Sequence, residues 1–468
     1  MSNANKTRIE RDSMGEMSVP ADAYYGASTM RAVLNFPLSN LRFPRSFIRA
    51  LAQIKLVSAQ VNSELGLLDK QLAETIASAA TQVAEGEFDN DFVIDIFQTG
   101  SGTSSNMNAN EVIANRAIEI LGGELGSRGI VHPNDHVNLG QSSNDVVPTA
   151  IHIAANKSIE DELLPALSEL KTELQIKTNE FMGIVKTGRT HLQDATPIRL
   201  GQEFSGYVEQ IERGIYRIKK AQEELSEVAL GGTAVGTGVN THEDFAKLAC
   251  AKLTKITGIA VQETTGHFQA QSTLDNIVAT SGALKTISVS LMKIANDIRW
   301  LGSGPRAGIG EISLPEVQPG SSIMPGKVNP VIPESVCQVA AQVIGNDAAI
   351  TVAGQSGNFE INVMMPVAAY NLLQSITLLA SASANFARQC INGLTATEKG
   401  PEMVEQGLAI CTALVPKIGY DAAAKIAKAA QSNGRTVREV SREMTDLSEL
   451  ELNEILDPSR MTKPGLTG

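Results

Sequence analysis

The chain has 468 residues and a formal net charge of −12, from 39 lysines and arginines against 51 aspartates and glutamates. An acidic balance of this size disfavours binding to nucleic acid or to an anionic membrane, because both partners carry negative charge. Hydrophobic residues make up 43 % and aromatic residues only 4 % of the sequence, which excludes dominant disorder and favours packed helices over a β-sandwich.

The length predicts about three domains of roughly 150 residues. The first, residues 1–137, is expected to be a mixed helical domain of short helices, broken early by prolines and late by glycines. Its first twenty residues carry charges of both signs and no apolar segment, so no secretory signal is expected. The four cysteines form no CxxC pair, which is typical of a reducing compartment. We therefore expect a cytoplasmic protein.

The second domain, residues 138–391, carries the strongest periodic signal in the chain. Across Gln202–Leu230, apolar residues recur at alternating spacings of four and three: Phe204, Val208, Ile211, Ile215 and Ile218. The same rhythm appears in Leu163–Phe181 and Leu284–Ile298, and another apolar helix is expected over Leu372–Leu379. Such seams are typical of long helices that pack at shallow angles, so this domain is predicted to be a long-helix bundle.

The third domain, residues 392–468, is predicted to be a small helical unit with helices over Gly419–Ala430 and Val437–Met444. The most apolar stretch near the C-terminus, Leu372–Phe386, is interrupted by Gln374 and several serines, so we expect no segment apolar enough to cross a bilayer. The sequence as a whole predicts an all-α protein with its chemistry in the connecting loops.

Neutral hydrogen-bonding residues crowd three of these loops, and a fourth adds one lysine. The loops are Ser101–Asn106, Gln141–Asp145, Thr190–Asp194 and Gly320–Pro330. Each Ser, Thr or Asn taken alone is explained by helix capping. Together, and with one histidine and one lysine among them, the loops predict a shared site for a carboxylate, because helix N-termini offer free N–H groups.

Phosphate and metal sites are not supported by the motifs. The run Gly231–Gly238 lacks the lysine of a P-loop, and Gly100–Gly102 lacks the third glycine of a dinucleotide fingerprint. His132 and His136 are four residues apart, but Pro133 intervenes, and the other histidines have no ligand spacing. We therefore expect neither a metal nor an organic cofactor.

Gly320–Pro330, GSSIMPGKVNP, resembles the signature of the fumarase/aspartase superfamily. Five further blocks resemble its class II fumarate hydratase family: Thr99–Glu111, His132–Asn138, Gln141–Asp145, Gly188–Pro197 and Gly231–Asn240. The resemblance extends from about Arg8 to Arg438. It implies a homotetramer with a 20-helix core and active sites shared by three subunits. It also implies a small C4 dicarboxylate substrate and reversible anti addition of water to fumarate, giving L-malate through an aci-carboxylate.

The resemblance also implies roles for single residues. Ser321 would take the C3 proton, His191 would handle the water or hydroxyl on the opposite face, and Glu334 would partner that histidine. The residues expected to bind substrate are Ser101, Gly102, Thr103, Ser142, Ser143, Asn144, Thr190, Ser322, Lys327, Val328 and Asn329. A second anion site would comprise His132, Pro133, Asn134 and Asp135, although an ordinary helix start explains this stretch nearly as well.

Three alternatives remain open. Aspartate ammonia-lyase is the nearest, because Val331–Glu334 resembles aspartases, whereas His191 stands where aspartases typically have glutamine. Argininosuccinate and adenylosuccinate lyases differ further in the Ser101 and Ser142 blocks. A non-catalytic structural protein on the same fold is the alternative of another class, and the joint presence of Ser321, Lys327 and His191 argues against it.

Overall fold

The computed structural model describes residues 6–465, and these residues form seventeen α-helices. The helices are α1 Ala27–Asn35, α2 Arg45–Glu64, α3 Lys70–Glu85, α4 Thr103–Ile120, α5 Ser143–Ser158, α6 Leu164–Glu180, α7 Leu200–Leu225, α8 Phe245–Thr257, α9 His267–Ser272, α10 Asp275–Leu301, α11 Val331–Gly354, α12 Met365–Phe386, α13 Lys399–Val404, α14 Val415–Ile418, α15 Tyr420–Asn433, α16 Val437–Met444 and α17 Glu449–Ile455. The prediction of a predominantly helical chain is confirmed.

Ten short strands within residues 6–465 qualify the all-α prediction. They are β1 Thr7–Asp12, β2 Gly15–Pro20, β3 Val185–Thr190, β4 Gln193–Arg199, β5 Glu227–Val228, β6 Gln262–Glu263, β7 Ile312–Ser313, β8 Gly357–Asn358, β9 Ile361–Asn362 and β10 Thr395–Ala396. Each belongs to a two-stranded ladder, and the longest ladders are the antiparallel hairpins β1–β2 and β3–β4.

The N-terminal helices are longer than the sequence predicted. Helices α2, α3 and α4 have 20, 16 and 18 residues, so the expectation of short helices was wrong. Pro44 precedes α2 at its N-cap rather than interrupting it, and Asp69 caps α3 by accepting a hydrogen bond from the Leu72 N–H. The three helices share one apolar core that includes Ala52, Ile76 and Val112.

The predicted apolar seams coincide with α6, α7, α10 and α12, which confirms them. Their seam residues are buried, as shown by Leu167, Phe204 and Leu291, which is the burial that an apolar seam predicts. Helix α7 ends at Leu225, five residues before the predicted end, and strand β5 follows it.

By contact density the chain divides into two compact units. The first contains the residues up to Pro165 with Tyr216–Ser288 and Ala341–Ala380, and the second contains Ala166–Ile215, Val289–Ala340 and the chain from Ser381. The domain boundaries predicted after residues 137 and 391 stay a prediction. Helices α15–α17 pack around a core of their own within the second unit.

Helices α10 and α11 are long and apolar enough to cross a membrane by length and composition alone. The expectation that no segment is apolar enough to cross a bilayer was therefore wrong for these two helices, by length and composition. Core helices of globular proteins pass the same test. Only 44 % and 39 % of the residues in their apolar windows are buried within the single chain.

Candidate active site

The loop before α4 presents Ser101, Gly102 and Thr103 at the N-terminus of an 18-residue helix. Gly102 has φ +74°, and a Cβ there would lie 2.8 Å from Val147 Cγ1, so glycine is required on both counts. The hydroxyls of Ser101 and Thr103 are 2.9 Å apart. This geometry places two hydroxyls beside the free N–H groups of a helix start, which suits an anion.

The second loop forms the N-cap of α5. The Ser142 hydroxyl accepts from the Asn144 N–H at 3.2 Å, and the Ser142 N–H donates to Asp145 Oδ1 at 2.9 Å. Asp145 is fully buried, and burial raises the pKa of its carboxyl. Its Oδ2 accepts from the N–H groups of Gly231 and Thr233 at 3.0 and 2.9 Å. The glycine-rich segment 231–238 therefore supports this loop.

One side chain joins these two loops. Asn106 Nδ2, in the first turns of α4, lies 3.0 Å from Ser143 Oγ and 3.2 Å from Asn138 Oδ1. This amide thus links helix α4, which begins at Thr103, to the Ser142–Asn144 loop. That the two loops bind one ligand stays a prediction.

The segment expected to form a second anion site, His132–Asp135, begins a single π-helical turn, Pro133–Val137. His132 Nδ1 accepts from the N–H groups of Asn134 and Asp135 at 3.3 and 3.1 Å, so the imidazole caps the turn. Burial lowers the pKa of the neighbouring His136. These contacts are those of a helix start, the alternative that the sequence left open.

Thr190 and His191 lie at the tip of the β3–β4 hairpin, and both are exposed. His191 and Leu192 have φ values of 56° and 60°, a left-handed conformation that is rare outside glycine. A buried ionic group stabilises the base of the hairpin: Lys186 Nζ lies 3.0 Å from Glu203 Oε2 and 2.9 Å from Glu311 Oε2.

The signature loop is closed by its own hydrogen bonds. The Gly320 N–H donates to the Lys327 carbonyl at 2.8 Å, and Asn329 Nδ2 donates to the Gly320 carbonyl at 2.6 Å. The Ser321 hydroxyl accepts from the N–H groups of Ile323 and Met324 at 3.2 and 3.0 Å. Two N–H donors aimed at one oxygen favour negative charge on it.

The remaining site residues that the sequence predicts, on the signature loop and in α11, differ in how exposed their side chains are. Ser322, Lys327 and Val328 are exposed, whereas Glu334, in the first turn of α11, is partly buried. Within residues 6–465, the side chains of His191, Lys327 and Glu334 have no hydrogen-bond partner. A single chain therefore leaves the histidine and the carboxylate unpaired.

Within residues 6–465, no cluster of three His, Cys, Asp or Glu side chains suits a metal ion.

Sequence reasoning missed Lys55, which lies beneath the Gln141–Asp145 loop. Its Nζ donates to Asn138 Oδ1 at 2.8 Å and to Gln141 Oε1 at 2.9 Å. The side chain is fully buried, and burial lowers its pKa to about 7. The available signal was a lysine on the apolar face of a helix, between Ile54 and Val57.

Comparison with known proteins supports one family throughout. A family model described as Lyase matches residues 15–345, and one described as Fumarase C C-terminus matches residues 410–463. Class II fumarate hydratase from Halobacterium salinarum is 55 % identical over 460 residues, 98 % of this chain and 98 % of its own length.

Two solved structures agree with this assignment. The class II fumarase from Schistosoma mansoni has a TM-score of 0.96 at 40 % identity, covering 97 % of this chain and 99 % of its own. The fumarate lyase:delta crystallin from Brucella melitensis, bound to cobalt, has a TM-score of 0.94 at 46 % identity, covering 98 % and 100 %. The chain therefore belongs to the class II fumarate hydratases of the lyase family.

Proposed function

We propose that this protein catalyses the reversible hydration of fumarate to L-malate by anti addition of water. The observation that carries this proposal is the full-length identity of 55 % to a class II fumarate hydratase, together with the signature loop that encloses Ser321. The polar loops suit a small C4 dicarboxylate, because their donors are numerous and mostly uncharged.

The reverse direction defines the chemical problem. A proton must leave the carbon beside a carboxylate that is already negative, so the doubly charged aci-carboxylate needs donors that are in place before reaction. We assign this role to Lys327 and Asn329, with Thr103 and the Ser142–Asn144 loop. In the free chain the Asn329 amide closes the signature loop on Gly320, so substrate binding would recruit it from that contact.

Proton transfer is assigned to both faces of the substrate. Ser321 takes the C3 proton as general base, and the two N–H groups on its hydroxyl support this role by stabilising the alkoxide. His191 transfers a proton to or from the departing or attacking oxygen, with Glu334 as its carboxylate partner. His191 is exposed at the tip of the hairpin, and this position supports the proposal that it contributes to the active site of a neighbouring subunit.

We infer a homotetramer with a 20-helix core, in which three subunits build each active site. Helices α10 and α11 expose large apolar side chains in the single chain, including Val289, Ile344 and Val352. Apolar faces on such long helices are stable in water when other copies cover them. A cytoplasmic location stays a prediction, supported by four cysteines that are all free thiols.

The second anion site remains a weaker proposal at His132, Pro133, Asn134 and Asp135. Its support is the exposed Asp135 and Asn134 beside a histidine turn, and the capping role of His132 Nδ1 competes with it.

The assay that tests the function follows the ultraviolet absorbance of fumarate after addition of L-malate and, separately, of L-aspartate. We expect fumarate to form from malate and essentially none from aspartate, because His191 suits water rather than ammonia chemistry. Fumarate from aspartate alone would establish the ammonia-lyase alternative, and inertness toward both substrates would favour the non-catalytic structural protein.

A further inference from the structure

We propose that Lys55 is a positioning residue, whose buried amino group holds segment 138–145 in the conformation that binds the substrate carboxylate. The inference rests on the proposed function, because it assigns Lys55 to the loop that contains Ser142, Ser143 and Asn144.

Three hydrogen bonds attach this segment to helix α2, and two of them come from Lys55. Lys55 Nζ donates to the side-chain oxygens of Asn138 and Gln141, which bracket the turn immediately before Ser142. The turn is also bonded to itself, since Asn138 Nδ2 donates to the Gln141 carbonyl at 3.1 Å. Farther along α2, Asn62 Nδ2 donates to the Leu139 carbonyl at 2.9 Å. Lys55 is therefore the contact that fixes both ends of the turn to the helical core.

A second set of bonds extends this support to the substrate-binding hydroxyls. Asn138 Oδ1 accepts from Lys55 and also from Asn106 Nδ2, and the same Asn106 Nδ2 reaches Ser143 Oγ at 3.0 Å. Loss of the Lys55 bond would loosen the Asn138 side chain, because its Oδ1 would keep only the longer bonds of 3.2 and 3.3 Å from Asn106 and Asn110 on α4. Movement there would be transmitted to Ser143 through Asn106.

The burial of this amino group is unfavourable for folding. Lys55 is fully buried, and the one charge that favours its protonated form is the Asp145 carboxylate. Removing Lys55 alone deletes a buried charged group but also leaves its acceptors without their buried donor and the Asp145 carboxylate without its favourable charge, and the two effects on stability oppose each other. Stability alone therefore does not distinguish a positioning lysine from a merely structural one, whereas KM and the hydrogen exchange of segment 138–145 do.

The test compares Lys55→Met with Ser58→Ala, a matched control on the same helix. Ser58 is also fully buried, and its hydroxyl has no hydrogen-bond partner. For Lys55→Met we expect KM for fumarate to rise about 10–100-fold and kcat to change less than about 3-fold, since two hydrogen bonds that order a binding loop are lost. The melting temperature is measured in parallel, so that loss of folded protein is not mistaken for loss of binding. Ser58→Ala should leave KM and kcat within about twofold of wild type.

A second readout does not depend on turnover. Hydrogen–deuterium exchange of the ligand-free full-length protein should be faster for the amides of 138–145 in Lys55→Met and unchanged in Ser58→Ala. If Lys55→Met does not fold, Lys55→Gln replaces it, because the shorter side chain cannot reach both acceptors. A variant with wild-type exchange in this segment and KM within twofold would overturn the proposal. A wild-type protein inert toward fumarate would refute the proposed function alone, and the exchange result would still decide the role of Lys55.

Discussion

The hydroxyl of Ser321 accepts hydrogen bonds from two backbone N–H groups of its own loop, those of Ile323 and Met324. A serine is a poor base in water, so its environment has to stabilise the deprotonated form. The neighbouring exposed Lys327 supplies positive charge on the same loop. At the residue scale, the proposed chemistry of Ser321 depends on donors that are already in place around its hydroxyl.

Ser321→Ala should lower kcat by about 10²–10⁴-fold, the range typical for loss of a general base. Stability should change little, because the residue lies on a largely exposed loop. Steady-state rates with L-malate, with the melting temperature measured in parallel, check this. Ser432→Ala, an exposed serine on α15, is the control and should retain full activity. Near-normal turnover in Ser321→Ala would remove this residue from its assigned role.

The lowered pKa of Lys55 predicts how the free energy of unfolding should depend on pH. Its folded-state pKa of about 7 lies below the ordinary value of 10.5, so the unfolded chain binds more protons between these two pH values. The free energy of unfolding should therefore gain, from this group, up to about 1.4 kcal/mol per pH unit as pH rises from 7 to 10.5. Denaturant titrations should show that the free energy of unfolding of Lys55→Met, relative to that of wild type, falls over this interval. A difference between the two proteins that is independent of pH would contradict the assignment.

At the scale of the element, the β3–β4 hairpin depends on ionic contacts that join residues far apart in the chain. Arg189 binds Glu311 through two hydrogen bonds of 3.1 and 2.6 Å, and Lys186 contacts the same carboxylate. Glu311 is only 3 % exposed, so its charge depends on these two cations. The hairpin is thereby fixed directly before Thr190 and His191.

Glu311→Gln should destabilise the fold by about 3–5 kcal/mol, because it leaves Arg189 without its buried counter-charge and Lys186 with Glu203 alone. Equilibrium denaturation gives this value. The matched control is Glu209→Gln, which removes an exposed pair with Arg213 and should cost about 1 kcal/mol or less. Equal effects of the two variants would show that the buried group is not what stabilises the hairpin.

The elements differ in how well the sequence predicts them. The seams of α6, α7 and α10 follow from local periodicity, since residues three and four apart share a helix face. The sequence did not predict the β3–β4 hairpin, because the charged residues Lys186 and Arg189 interrupt the apolar alternation that is typical of a strand. Their partner Glu311 is 122 residues beyond Arg189, so no local pattern indicates the pairing. Lys55 was missed for a similar reason: its acceptors, Asn138 and Gln141, are 83 and 86 residues away.

At the scale of the whole molecule, the apolar helices α10 and α11 are only partly buried within one chain. Packing against further copies would cover these faces and would bring His191 of one subunit to Ser321 of another. The motifs predict which loops carry the chemistry, and this assignment stays a prediction. The way loops of different subunits combine is a long-range property, and the roles of His191, Lys327 and Glu334 stay predictions until that assembly is tested.

Val352→Asp should dissociate the proposed tetramer and lower activity at least about tenfold, because a charge on this exposed apolar position of α11 opposes burial between copies. Size-exclusion chromatography with light scattering measures the assembly. Leu450→Asp, which alters another exposed apolar residue on α17, is the control and should remain tetrameric. An intact, active tetramer in Val352→Asp would place this helix face outside the interface.

A shared active site is tested most directly by mixing two inactive variants. Ser321→Ala and His191→Asn are unfolded together and refolded, so that subunits combine at random. If each site takes Ser321 and His191 from different chains, roughly one quarter of the sites regain both groups, and the mixture should recover roughly a quarter of wild-type activity. Each variant refolded alone should stay inactive. A mixture as inactive as its components, with tetramers formed, would contradict the account.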